Sequence, residues 1–163
     1  MGTRHGKGAE MSHEFQGPSH EDPHVSKATA GDKKVSSRRQ LDFELEFFEG
    51  ILERCPDFVD VLRVHANNLT TRGLYARGLE ADRRLVQLRP NDPITHYNLA
   101  CSHALLLQTD AAIAALESSL KLGYLDFEHL LGDPDLERVR DDARFLGMLG
   151  RHLKRLKRSS KSC

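Results

Sequence analysis

His96 and His103 flank a run of small and aliphatic residues in HYNLACSHALLLQTDAAIAAL, residues 96–116, with Cys101 between them. Imidazole and thiol are the groups of zinc sites and of nucleophilic catalysis. The spacing argues against both. On one helix, seven residues set the two rings about 10.5 Å apart along the axis, too far for both to reach a zinc ion at about 2.1 Å. Cys101 lies two residues from His103 and projects from a different side of the helix, which removes a Cys–His pair. Both histidines are expected to fill space, each with a satisfied ring nitrogen.

The other reactive residues are no better placed. His5, His13, His20 and His24 lack the tight spacing that presents two imidazoles to one ion. Cys55, Cys101 and Cys163 form no CxxC pair and are too scattered for a disulfide framework, so a reducing, cytoplasmic setting is expected. The chain has no GxSxG, no phosphate-cradling glycine loop and no HExxH. No enzyme activity, metal or cofactor is expected.

The elements that carry these residues follow from composition and period. The chain has 163 residues, 39% of them hydrophobic and 29% charged, with no tryptophan, which suits one modest core under a large polar surface. A formal net charge of zero hides a segregation. Residues 1–39 hold seven basic and five acidic residues, residues 40–150 eleven and nineteen, and residues 151–163 six and none. The N-terminal MGTRHGKGAEMSHEFQG lacks the apolar stretch of a secretion signal, and no segment reaches the roughly 18 apolar residues of a membrane span. Gly6 stands where a myristoylation signal needs Ser or Thr, and the terminal Cys163 cannot be prenylated.

Residues 1–39 mix Gly, Pro, Ser, His and charge without a period and are expected to form a disordered arm. From residue 41, Leu41, Leu45, Phe48 and Leu52 mark one helix face, which stops at Cys55-Pro56. Asp57 is expected to cap the next helix, with Asp60 at its positive end. Thirty-four residues after Pro56, the run Pro90-Asn91-Asp92-Pro93 repeats the event, with Asp92 as cap and Pro93 at the first helical position. Laying residues 59–92 over 93–126 pairs Leu62 with His96, His65 with Leu99, Ala66 with Ala100, Leu69 with His103 and Gly78 with Ala112. Small residues at fixed places let two helix axes approach to about 8 Å. TTRGLY and LLQTDA then form the short connections, with Gly73 or Thr109 and Asp110 at the turns.

This period and size pattern resembles the tetratricopeptide repeat, W-x2-L-G-x2-Y, then A-x3-F, then P, over 34 residues. His96, Leu99, Ala100, His103, Ala112 and Leu116 stand at its sites in one unit, and Leu62, His65, Ala66, Leu69, Gly78 and Pro90 in the other. Asp82 stands where an aromatic is usual, and Tyr124 where the final proline is usual. Residues 122–149, with G-Y-x-D-F, D-P-D-L and R-x-D-x-R-F, resemble the segment that closes the last repeat in many bacterial tetratricopeptide proteins. Such a segment gives a stack its polar outer face, here through Asp133 capping Pro134 and through Arg138, Arg140 and Arg144.

The resemblance implies an all-α, right-handed helical-hairpin solenoid over residues 40–150. It comprises a half repeat at 41–56, repeats at 59–92 and 93–126, and closing helices at 126–150, followed by a basic tail at 151–163. It also implies an interaction module, an adaptor or scaffold, that holds a peptide or protein segment in a concave groove. The groove sites fall on Arg63, Asn67, Thr70 and Thr71, then on Ile94, Tyr97, Asn98, Cys101 and Leu105. In family members that hold a C-terminal carboxylate, a basic residue and two asparagines occupy the sites of Arg63, Asn67 and Asn98. Glu128 and Gly132 stand where that subfamily has further basic residues.

An alternative partner is RNA or an anionic membrane, met by the basic tail. Phe145, Leu149, Leu153 and Leu156 could form one apolar stripe there, with Arg151, Lys154, Arg155, Lys157 and Arg158 on the remaining surface. With so few repeats, an exposed apolar end can also pair with a second copy.

Overall fold

The structure, a computed structural model, describes residues 30–159 and the side chains of residues 37–158. Most of the expected arm, with its four histidines, and the last residues of the tail lie outside the described residues. Among the described residues the chain is all-α, without a strand. Its helices are α1 (Ala30–Arg54), α2 (Val59–Arg72), α3 (Tyr75–Leu88), α4 (Pro93–Leu105), α5 (Thr109–Lys121) and α6 (Phe127–Gly132). A 3-10 helix (Pro134–Leu136), α7 (Glu137–Arg140) and α8 (Ala143–Ser159) follow.

Local chemistry sets several boundaries. The Asp92 carboxylate accepts the Ile94 N–H at 2.9 Å, and Pro93 opens α4 where no N–H is needed. Gly73 ends α2 in the left-handed region at φ 84, which costs glycine nothing, and the Leu74 N–H reaches back to the Leu69 carbonyl at 2.8 Å. Two boundaries differ from expectation. Phe58, not Asp57, holds the N-cap position of α2 and makes no side-chain cap, because the Asp57 carboxylate is taken by Arg84 of α3. The helix read from residue 41 starts at Ala30, so residues 30–39 extend it rather than belonging to the arm. Those added residues need no apolar face, since they run ahead of the part of α1 that the core holds.

Each helix from α1 to α5 packs against the next, and α8 returns against α5 and α7. Between α2 and α3, a Cβ built on Gly78 would come 2.9 Å from Thr70 Oγ1, so glycine is what permits that approach. Ala112 is fully buried at the matching place between α4 and α5. One apolar cluster joins α1, α2 and α3 through Leu45, Leu62, Leu69 and Leu85. A larger one joins α4 and α5 to the closing segment through Ala100, Leu116, Leu120, Leu130, Leu136, Val139 and Phe145.

The two histidines fill space. His96 Nε2–H donates to the Pro90 carbonyl at 2.8 Å, and buried His103 pairs through Nδ1 with Gln108 Oε1 at 2.6 Å. In the closing segment, Asp126 caps α6 and Asp133 caps the 3-10 helix, while Arg144 bridges Asp142 and Asp110. The apolar side of α8 follows the expected stripe as far as Leu149. Phe145, Met148 and Leu149 are buried, whereas Leu153 is 39% exposed, so the stripe leaves the core before the tail.

Candidate binding groove

A recess of about 270 Å³ opens between α2 and α4. Asn67 and Thr70 form one wall and Tyr97, Asn98 and Cys101 the other, all placed there by the 3.6-residue turn of their helices. Asp82 and Ser102 lie at its base, and His129, Asp133 and Asp135 close it from the closing segment. Five of the nine expected groove residues therefore meet. Arg63, Thr71, Ile94 and Leu105 do not line this recess. Arg63 is paired with Asp92 at 3.2 Å, Thr71 Oγ1 donates to the Asn67 carbonyl, and Ile94 is half exposed. Leu105 lines a neighbouring depression with Tyr75, Leu107 and Arg138.

Two of the five are walls rather than free contacts. Tyr97 and Cys101 are buried, because the segment from α6 to the 3-10 helix folds over them. The Tyr97 hydroxyl donates to Asp133 Oδ2 at 2.6 Å, and the Cys101 thiol reaches the same oxygen at 3.7 Å. Burial, reinforced by the Asp133 bond, pushes the Tyr97 phenol far up, and burial beside Asp133 does the same to the Cys101 thiol. Both stay protonated and act as donors. Tyr97 also stacks on Tyr124 at 4.5 Å between centroids. By contrast, the Asn67 and Asn98 amides engage in no hydrogen bond among the described residues, and Asn67 is exposed.

The recess is acidic. Asp82, Asp133 and Asp135 line it, with Asp126 and Glu128 beside the adjoining surface. The one expected cation, Arg63, is engaged by Asp92. A carboxylate would meet repulsion here, and the arrangement does not form the carboxylate clamp that Arg63, Asn67 and Asn98 implied. An Asp133 oxygen, Cys101 Sγ and an Asp135 oxygen lie within 4.8 Å of one another. That closeness follows from capping and from the thiol bond, since Asp133 Oδ1 holds the Asp135 N–H at 2.9 Å.

Sequence reasoning misses Asp82. Its signal is an acid at a position where the resemblance noted above calls for an aromatic. Asp82 is 3% exposed and bonded to the Ser102 hydroxyl at 2.5 Å. Burial raises its pKa to about 6, while the Ser102 bond lowers it less. The unfolded chain releases that proton near pH 4 and the folded chain near pH 6, so stability falls as pH rises between the two. Asp82→Asn keeps an acceptor for Ser102 and removes the charge. The substitution is expected to raise stability at pH 7 by about 2 kcal/mol and to change it little at pH 4. Urea denaturation of both proteins at the two pH values measures this, and an equal gain at pH 4 would rule out the buried charge as the cause.

Among the described residues, no helix is long and apolar enough to cross a membrane. No protein-family profile matches the chain. A stretch of 76 residues, 45% of the chain, is 37% identical to a chloroplastic protein of Arabidopsis thaliana, and covers 23% of that protein's length.

Proposed function

We propose that the chain is a tetratricopeptide-like, right-handed helical-hairpin solenoid that serves as a protein-interaction module. It holds a peptide or protein segment across α2 and α4, anchored by a basic side chain in the acidic recess. The observation that carries this is the pair of unengaged amides, Asn67 and Asn98, on facing helices above a base of carboxylates. Amides that face one another across a groove can bond an extended backbone on both edges, and a lysine or arginine between them meets Asp82, Asp133 and Asp135. Consecutive helix packing, helices of 13 or 14 residues from α2 to α5, and small residues at Gly78 and Ala112 support the solenoid. The reducing, cytoplasmic setting belongs to the same proposal. The similar plant protein carries "chloroplastic" in its own name.

Panning short random peptides on the full chain tests the groove. Enriched sequences should carry an internal lysine or arginine, and Asn67→Ala with Asn98→Ala should weaken their binding about tenfold or more. Peptides selected by a terminal carboxylate, or affinity indifferent to both asparagines, would defeat the proposal.

The alternative partner, RNA or an anionic membrane, has its support in Arg151, Lys154, Arg155, Lys157 and Arg158, all exposed on α8. A membrane would need a broad apolar face beside those charges, yet Phe145, Met148 and Leu149 are committed to the core, leaving Leu146 and Leu153 exposed. RNA binding would weaken steeply with added salt and with Arg151→Glu and Lys154→Glu.

A further inference from the structure

The last turn of α5 and the middle of α8 enclose a second recess, of about 100 Å³. Leu120 and Met148, both buried, form its floor. Lys121 lines it from α5, and Arg151, His152 and Arg155 line it from α8. Lys121, Arg151 and Arg155 are set there against one acid, Glu117, whose carboxylate lies 3.4 Å from the Lys121 ammonium.

Helix spacing makes this collection of charge. Arg151 and Arg155 are four residues apart, so they project from one side of α8, about 6 Å apart along its axis. At that spacing like charges repel, and an anion between them is favoured. Lys121 is 59% exposed and Glu117 45%, so their pairing is a weak surface one that leaves the ammonium able to turn to a stronger acceptor. His152 is more constrained. Its ring meets that of Phe127 at 6.2 Å between centroids, and its Nε2 is buried with no hydrogen-bond partner among the described residues. A buried ring nitrogen left unpaired lowers stability, and a ligand oxygen bonded to it removes that loss.

We propose that this recess binds a phosphoryl group, as free phosphate or as a phosphomonoester. Arg151 and Arg155 bracket its oxygens, Lys121 neutralises it from α5, and His152 donates from the inner side. A doubly charged tetrahedral group suits the site better than a carboxylate does, because guanidinium forks bond several oxygens at once and three cations ask for more than one negative charge. A polynucleotide suits it less, since its diesters carry one charge each and no Phe, Tyr or Trp lines the recess for a base to stack on. The recess shares no residue with the groove between α2 and α4, so the two proposals stand or fall separately.

Nuclear magnetic resonance of the full chain, titrated with inorganic phosphate at constant ionic strength, tests it. Saturable shifts are expected at the backbone amides of residues 117–121 and 148–155, with a Kd on the order of 1 mM. Arg151→Gln with Arg155→Gln, both at exposed positions, should leave the circular dichroism unchanged and weaken binding about tenfold or more. Glu117→Gln should tighten it about two- to threefold by removing the opposing charge. Lys154→Gln removes a charge of the same helix that does not line the recess, and should change binding less than about twofold. Titration with phosphoserine inside a short glycine peptide separates the sources. Tighter binding than that of inorganic phosphate assigns the site to a phosphorylated chain, and equal or weaker binding assigns it to free phosphate. The absence of saturation by about 50 mM of either ligand overturns the site. A loss with Lys154→Gln equal to that of the arginine pair, or no gain with Glu117→Gln, attributes the binding to the diffuse charge of the tail and overturns it as well.

Discussion

Replacing Asp133 by alanine is expected to cost about 3 kcal/mol, a large share of the stability of a chain this size. Three buried or backbone groups depend on that carboxylate, which also meets the exposed His129 ring at 3.5 Å. It caps the 3-10 helix through the Asp135 N–H at 2.9 Å, accepts the buried Tyr97 hydroxyl at 2.6 Å, and holds the Cys101 thiol at 3.7 Å. Alanine leaves the Tyr97 hydroxyl buried without an acceptor, and that unpaired donor is the largest part of the loss. Asp133→Asn keeps a cap and an acceptor and should cost less than half as much. Tyr97→Phe removes the orphaned hydroxyl, so adding it to Asp133→Ala should cost less than it does alone, with a coupling of about 1–2 kcal/mol. Chemical denaturation of the four proteins closes the cycle. Strict additivity would mean that the carboxylate acts only as a cap.

Phe145→Ala should be costlier, about 4 kcal/mol. Phe145 is fully buried in the cluster that joins α4 and α5 to the closing segment. Nothing near it can collapse easily into the gap, since Leu116, Leu130 and Leu136 are themselves fully buried. The damage should be uneven. Beyond Leu149, α8 keeps few inward side chains, so losing its anchor should free the helix before α1–α3 unfold. Trypsin, which cuts after lysine and arginine, should attack Arg151–Arg158 before the sites within α2–α5 in the variant. Simultaneous cleavage throughout the chain would show that α8 is not the weakest unit. Phe145→Leu retains most of the volume and should cost about 1–2 kcal/mol.

The particular residues show which parts of this architecture can be read in the sequence. Asp92-Pro93 and Gly73 act through their own backbone neighbours, so a boundary at each follows from residue type alone. Gly78 and Ala112 are legible through their recurrence, which packing requires. Asp57 misleads because a nonlocal partner, Arg84, outcompetes the local N–H groups for its carboxylate. The start of α1 escapes a reading based on apolar period, because residues 30–39 precede its apolar face. Five groove residues converge because helical spacing puts them on one side of α2 and α4. Their environment is not legible. Asp133 lies 36 residues from Tyr97, and only the closing segment's fold brings its carboxylate to the phenol and turns two expected contact residues into buried walls.

Burial of Cys101 gives the protein an internal clock. Cys55 is exposed while the Cys101 thiol is covered and protonated. An alkylating reagent should therefore modify exposed Cys55 directly, and Cys101 only when the cover over the recess lifts, each site being followed separately by peptide mass. The ratio of the two rates reads how often that cover opens, without any spectroscopic label. A segment seated in the groove would slow the second rate and leave the first unchanged.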